Sequence, residues 1–169
     1  MGFGSPYAAD TATVLGPANW SGPTKEAHAL WHQCVAGRGE MSEFIARHTS
    51  DSVMFRPPTY YATWTGKPAF GVLLGSVGEV FGSSLRYHRE MISPDGRDWM
   101  LEFTANVNGK ELKGVDLMHL NEKGEIELME VVMRPPNAVQ ELAGKMMQLV
   151  PPKMAALGIR KQDALRSKL

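Results

Sequence analysis

Asp116 stands between Val115 and Leu117 in the stretch 112–134, which is apolar on both sides of Asn121-Glu122-Lys123-Gly124. A carboxylate in so apolar a segment is either solvated on an open face or held in a pocket. In a pocket, loss of water raises its pKa and suits it to proton transfer. His28 and His32 stand four residues apart. If helical, they share one face, and three roles are open: two ligands of one metal, a His32–Asp116 pair sharing a proton, or core histidines bonded to backbone carbonyls. No third ligand stands at motif spacing, so neither a metal nor a cofactor is expected. Arg56 closes a short apolar run before Pro57-Pro58. A fixed cation there would hold a carboxylate or an oxyanion in a cavity, or else pair with a surface acid. Cys34 has no motif and no basic neighbours, and reads as core.

The elements that must position these groups follow from periodicity. Ala27, Leu30, Trp31, Cys34 and Val35 recur at helical spacing after Thr24, a candidate N-cap, and Gly37 and Gly39 end that helix. A second helix is predicted over 40–48, a short strand over 53–55 and a third helix over 67–81, the last weakened by Gly71, Gly75 and Gly78. A loop with Tyr60, Tyr61 and Trp64 precedes the third helix. From 85 onward the period becomes two: strands over 85–92 and 99–107, a type I′ turn at Asn108-Gly109, then the hairpin around Asn121–Gly124. A C-terminal helix over 138–150 is predicted to stop at Pro151-Pro152. The pattern predicts an α+β fold, with an irregular arm (1–22), one domain (23–158) and a charged tail (159–169).

Composition narrows the function. Lys+Arg and Asp+Glu both number 18, so the net charge is zero and the basic footprint needed for nucleic acid or an anionic membrane is missing. One cysteine, no secretory signal and no apolar run of membrane length make a cytoplasmic protein the expectation.

Three segments resemble the nuclear-transport-factor-2-like superfamily, in its SnoaL-like and ketosteroid-isomerase-like branch: Asp51-Ser-Val-Met-Phe-Arg-Pro57, Trp64-Thr-Gly66-Lys, and Gly114-Val-Asp-Leu-Met-His-Leu-Asn-Glu-Lys-Gly-Glu-Ile126. The resemblance spans roughly 24–135. It implies a cone-shaped, cystatin-like fold: a curved antiparallel sheet packed on three helices, here with an extra C-terminal helix, enclosing an apolar cavity. It also implies a homodimer through the outer sheet face, where Val115, Leu117, Leu128 and Val132 fall. In ketosteroid isomerase the cavity holds a general base and an oxyanion hole built from a tyrosine and an aspartic acid kept protonated by its apolar site. By the resemblance, Asp116 falls on that acid, His32 on the tyrosine, His48 on a second tyrosine that supports it, and Arg56 on the base. Arginine stays protonated and cannot serve as that base.

With Asp116 turned inward, period-2 alternation gives the cavity wall Leu101, Phe103, Met118, Met129, Val131 and Met133. His48, Tyr60, Tyr61 and Trp64 complete the expected binding site, and Met146 and Met147 add adaptable apolar surface. The expected activity is cofactor-independent acid–base chemistry, of isomerase or lyase type including retro-aldol cleavage, on a small hydrophobic aromatic or polycyclic molecule. His32 and Asp116 would be the proton-transferring pair and Arg56 the clamp. The alternative is a non-catalytic binding protein using the same cavity.

Overall fold

The computed structural model describes residues 13–59 and 61–159. Seven strands and four helices follow one another as β1 (Thr13–Leu15), α1 (Pro23–Val35), α2 (Met41–His48), β2 (Thr49–Arg56), β3 (Trp64–Thr65), α3 (Lys67–Phe81), β4 (Arg86–Ile92), β5 (Asp98–Val107), β6 (Lys110–Leu120), β7 (Ile126–Arg134) and α4 (Pro136–Ala156). A short 3-10 turn, Gly82–Ser84, links α3 to β4. The strands form one sheet in the order β1-β4-β5-β6-β7-β2-β3. No helix among the described residues is long and apolar enough to cross a membrane.

The meander β4-β5-β6-β7 is antiparallel, as the turn signals require. Asn108 and Gly109 both have positive φ (49° and 79°), as a type I′ turn demands. The outer pairings correct the expected all-antiparallel sheet: β1 runs parallel to β4, and β2 runs parallel to β7. Local periodicity carries no information on pairings so distant along the chain. β1 itself comes from the stretch expected to be an irregular arm.

Burial along β6 alternates without a break, with Leu112, Gly114, Asp116, Met118 and Leu120 on the inner face. The same face of β5 buries Trp99, Leu101, Phe103, Ala105 and Val107. Helices cover this face with Trp31, Phe44, Phe70, Leu73 and Leu142, each nearly fully buried. Each such side chain contributes on the order of 1.5–3 kcal/mol through burial. The outer face is mixed rather than uniformly apolar. Glu102 is buried there under Arg89 and Lys113, while Met91, Met100 and Val132 stand exposed.

Three boundaries differ from expectation. Helix α1 begins at Pro23 with Gly22 as its N-cap, because proline's fixed φ suits the first turn. Thr24 instead accepts a hydrogen bond from Trp20 Nε1 at 3.0 Å. Strand β2 extends back to Thr49 through pairing with β7. Helix α4 runs through Pro151 and Pro152 to Ala156. Those prolines remove two helical N–H donors, which disfavours the last turn. Burial of Val150 and Met154, together with an ion pair from Lys153 to Glu79 on α3, holds the turn in place.

Candidate active site

The helices and the inner sheet face enclose a cavity of about 1070 Å³, large enough for a polycyclic molecule. Helix α3 lies along it, and Gly75 and Gly78 face it. A Cβ at either would meet nothing within 4 Å, so these glycines widen the space that larger residues would fill. Met41, Met129, Met133, Met146, Met147 and Met154 supply much of the wall. Against this apolar lining, the groups among the described residues that can exchange a proton are Asp116, Tyr87 and Cys34.

Asp116 and Tyr87 are bonded to each other. The Tyr87 hydroxyl donates to Asp116 Oδ2 at 2.7 Å and accepts from Trp31 Nε1 at 3.0 Å. The row Trp31–Tyr87–Asp116 thus joins α1, β4 and β6. Across the sheet, Tyr87 pairs with Phe103 and Phe103 pairs with Gly114. A side chain on residue 114 would collide with the Phe103 ring and approach the Val132 carbonyl at 2.9 Å. Glycine there lets the Phe103 ring settle edge-on to Tyr87, with centroids 6.2 Å apart, beside the bonded pair.

Burial pushes the Asp116 carboxyl up to about 7, and the hydrogen bond from Tyr87 opposes that rise. The Tyr87 hydroxyl is driven well above its usual range by burial and by the neighbouring negative charge of Asp116, so it stays protonated. Cys34 is also raised, by burial and then by Glu40 and Glu43, which keeps it a neutral thiol. One carboxyl group therefore titrates near neutral pH inside the cavity.

The expected site residues divide. Asp116, Trp64, Phe103, Met129, Val131 and Met133 all line the cavity. His32 does not meet Asp116. It lies one residue beyond Trp31, about 100° further around α1, so Trp31 enters the site and His32 turns toward β4. There its Nε2 lies 3.0 Å from Glu90 Oε1. Arg56 points outward and pairs with Glu130 at 3.0 Å. Strand alternation requires this, because Val53 and Phe55 are the residues of this half of β2 that face the core. The cavity meets Pro57 and Pro58 instead.

His48 is buried, with Nδ1 3.2 Å from the Gly124 carbonyl. It fastens the end of α2 to the β6–β7 turn. Leu101 and Met118 face inward but belong to the solid core; Met118 sits opposite Trp99, away from the cavity. Tyr61 is fully exposed, and Tyr60 lies outside the described residues.

Tyr87 and Trp31 are the functional candidates that sequence reasoning missed. Strand β4 bulges between Tyr87 and Glu90, whose partners on β5, Phe103 and Leu101, are only two apart. The extra residue turns both Tyr87 and Glu90 inward, against the parity that simple alternation assigns. Glu90 thereby reaches His28 Nε2 at 2.6 Å as well as His32. Burial would raise the Glu90 carboxyl, but hydrogen bonds from the two histidines hold it down at about 2.

No family model matches the chain, and no curated protein matches its sequence. Solved structures do. A steroid delta-isomerase from Pseudomonas aeruginosa is 31% identical, with a TM-score of 0.73 over 81% of this chain and 98% of that one. An uncharacterised bacterial protein with a cystatin-like fold, from Silicibacter pomeroyi, is 39% identical, with a TM-score of 0.68 over 77% of this chain and 90% of that one. A protein of unknown function from Burkholderia xenovorans, described as NTF-2 like, shares the fold at 16% identity, with a TM-score of 0.51 over 68% of this chain and 84% of that one. By its sequence identity to the first two of these bacterial proteins over most of its length, and by the fold it shares with them, the chain belongs to the nuclear-transport-factor-2-like superfamily.

Proposed function

We propose that the protein is a cofactor-independent isomerase-type enzyme that moves a proton within a small hydrophobic carbonyl compound. The observation that carries this reading is the Tyr87–Asp116 pair, set in an apolar cavity with a carboxyl pKa near 7. The steroid isomerase among its relatives supports the same reaction class.

In the proposed step, ionised Asp116 takes a proton from the carbon between a carbonyl and a β,γ double bond. The electron pair moves onto the carbonyl oxygen and gives a dienolate. Asp116 then returns the proton to the γ carbon, and the carbonyl re-forms as the conjugated isomer. A pKa near the working pH favours both halves of this transfer. Tyr87, aligned by Trp31, holds the carboxylate in place. When Asp116 is protonated, the Tyr87 hydroxyl becomes the donor available to the enolate oxygen.

A second reading, a carrier that binds such molecules without converting them, is favoured by the methionine-rich wall, which adapts to varied ligands. A steroid-sized β,γ-unsaturated ketone separates the two. The enzyme reading expects a rise in melting temperature and conversion to the conjugated ketone, followed by ultraviolet absorbance. A rise without conversion supports the carrier, and no rise counts against the cavity as a binding site for this class.

A further inference from the structure

Behind the cavity wall, between α1 and the bulged part of β4, three side chains converge that the proton transfer does not use. His28 and His32 present the same face of α1, their rings 4.5 Å apart. His28 Nε2 is 2.6 Å from Glu90 Oε2, and His32 Nε2 is 3.2 Å from Oε2 and 3.0 Å from Oε1. One donor atom from each of the three lies within 4.8 Å of the others. The Glu90 side chain has no exposed surface, and its Oε1, although close to His32, has no partner in hydrogen-bond geometry. The imidazoles are held from outside. The ring centroids of Trp20 and Trp99 lie 4.9 and 5.2 Å from that of His28, and the Tyr87 centroid 5.1 Å from that of His32, all in T-shaped contacts.

We propose that His28, His32 and Glu90 form a binding site for a zinc-class divalent transition-metal ion that clamps α1 to β4. Three observations favour an ion over a closed hydrogen-bond network. Both Nε2 atoms converge on one carboxylate. The ion pairs of that buried carboxylate among the described residues are with imidazoles, not with a permanently charged side chain, so a cation would balance a charge that is costly to bury. One carboxylate oxygen is left unbonded and close to the donors. Around a tetrahedral ion with bonds of about 2.1 Å, donor atoms stand about 3.4 Å apart, so small side-chain shifts bring these three into range. Two imidazoles and one carboxylate suit zinc-class ions, whereas calcium and magnesium take oxygen donors. The His32 side chain, 29% exposed, gives the ion a path from solvent and leaves room for water as a fourth ligand.

The clamp has a consequence for the cavity. Trp31 lies between the two histidines on α1, and Tyr87 lies three residues before Glu90 on β4. An ion joining these elements would fix the Trp31–Tyr87 contact while touching neither the cavity nor its ligand. The site therefore stands or falls independently of the proposed reaction.

The test uses tag-free, full-length protein stripped with a chelator and titrated with cobalt(II) as an optical probe and with zinc(II) by calorimetry. The expected result is one equivalent bound, a cobalt visible spectrum abolished by zinc, and a melting temperature raised by zinc but not by magnesium. His32→Ala, on the solvent side of the cluster, and Glu90→Gln should each weaken zinc binding by at least tenfold, since even outer-shell changes cost roughly 10–100-fold. Circular dichroism checks the fold of each variant, and His32→Ala decides the matter where Glu90→Gln fails to fold. Absence of stoichiometric binding, an equal response to magnesium, or undiminished zinc affinity in folded His32→Ala would overturn the proposal.

Discussion

Asp116→Ala is expected to lower turnover of a β,γ-unsaturated ketone by about 10²–10⁴-fold, the usual contribution of a positioned acid–base group. Nothing else among the described residues of the cavity lining replaces it. Cys34 is held as a neutral thiol and Tyr87 as a neutral hydroxyl, Arg56 points outward, and His32 is engaged with Glu90. Asp116→Asn keeps the shape and an acceptor for the Tyr87 hydroxyl, yet it should fail equally, which separates loss of the proton carrier from loss of packing.

Tyr87→Phe gives a finer signature. The Tyr87 hydrogen bond lowers the Asp116 pKa against the burial that raises it. Removing that bond should move the acid limb of the kcat/KM profile to higher pH. A role for Tyr87 in packing alone would leave the profile in place. Steady-state kinetics across pH, with binding of the ketone followed by thermal shift, read all three variants. Full turnover in folded Asp116→Asn would remove Asp116 from the chemistry.

The same carboxyl should make stability fall as pH rises. In the unfolded chain Asp116 titrates near 3.8, and in the folded protein near 7. Between those values the native state binds the extra proton, so unfolding becomes progressively easier as pH increases through the window. Above neutral pH the penalty levels off at about 4 kcal/mol, taking about 1.4 kcal/mol for each pKa unit. Asp116→Asn has no such penalty. It should match the wild type near pH 4 and exceed it at about pH 8 by an amount worth roughly 10 °C in Tm for a chain of this size. Thermal unfolding of both proteins across that range checks this. A difference that does not change with pH would show that the wild-type carboxyl is not desolvated.

Much of the architecture is legible in the sequence because local periodicity is a direct record of which face is buried. The inner row of β6, from Leu112 to Leu120, follows strict alternation, so Asp116 faces inward as its neighbours predict. Helix α3 occupies the span its apolar spacing predicts despite three glycines. What escapes the sequence is information that no local window holds. The parallel pairing of β2 with β7 joins segments more than seventy residues apart. The β4 bulge reverses the parity of one half of that strand, which hides both Tyr87 and Glu90.

His32 and Arg56 depart from expectation for a different reason. By the resemblance each is expected at a site position of ketosteroid isomerase, while its own geometry points elsewhere. A residue next to Trp31 on a helix cannot share Trp31's direction. A residue next to core-facing Phe55 on a strand must face out. The Asp116 carboxyl does line the cavity, where a tyrosine from β4 holds it.

The most direct measurement is the titration of the Asp116 carboxyl carbon by NMR in the wild-type protein, followed from about pH 4 to about pH 9, which spans the normal and the shifted carboxyl ranges. A midpoint near 7 is the predicted result and establishes a carboxyl group poised to give and take a proton in the cavity. A midpoint near the ordinary 3.8 would mean a solvated carboxylate and would contradict the assignment of Asp116 as the proton carrier.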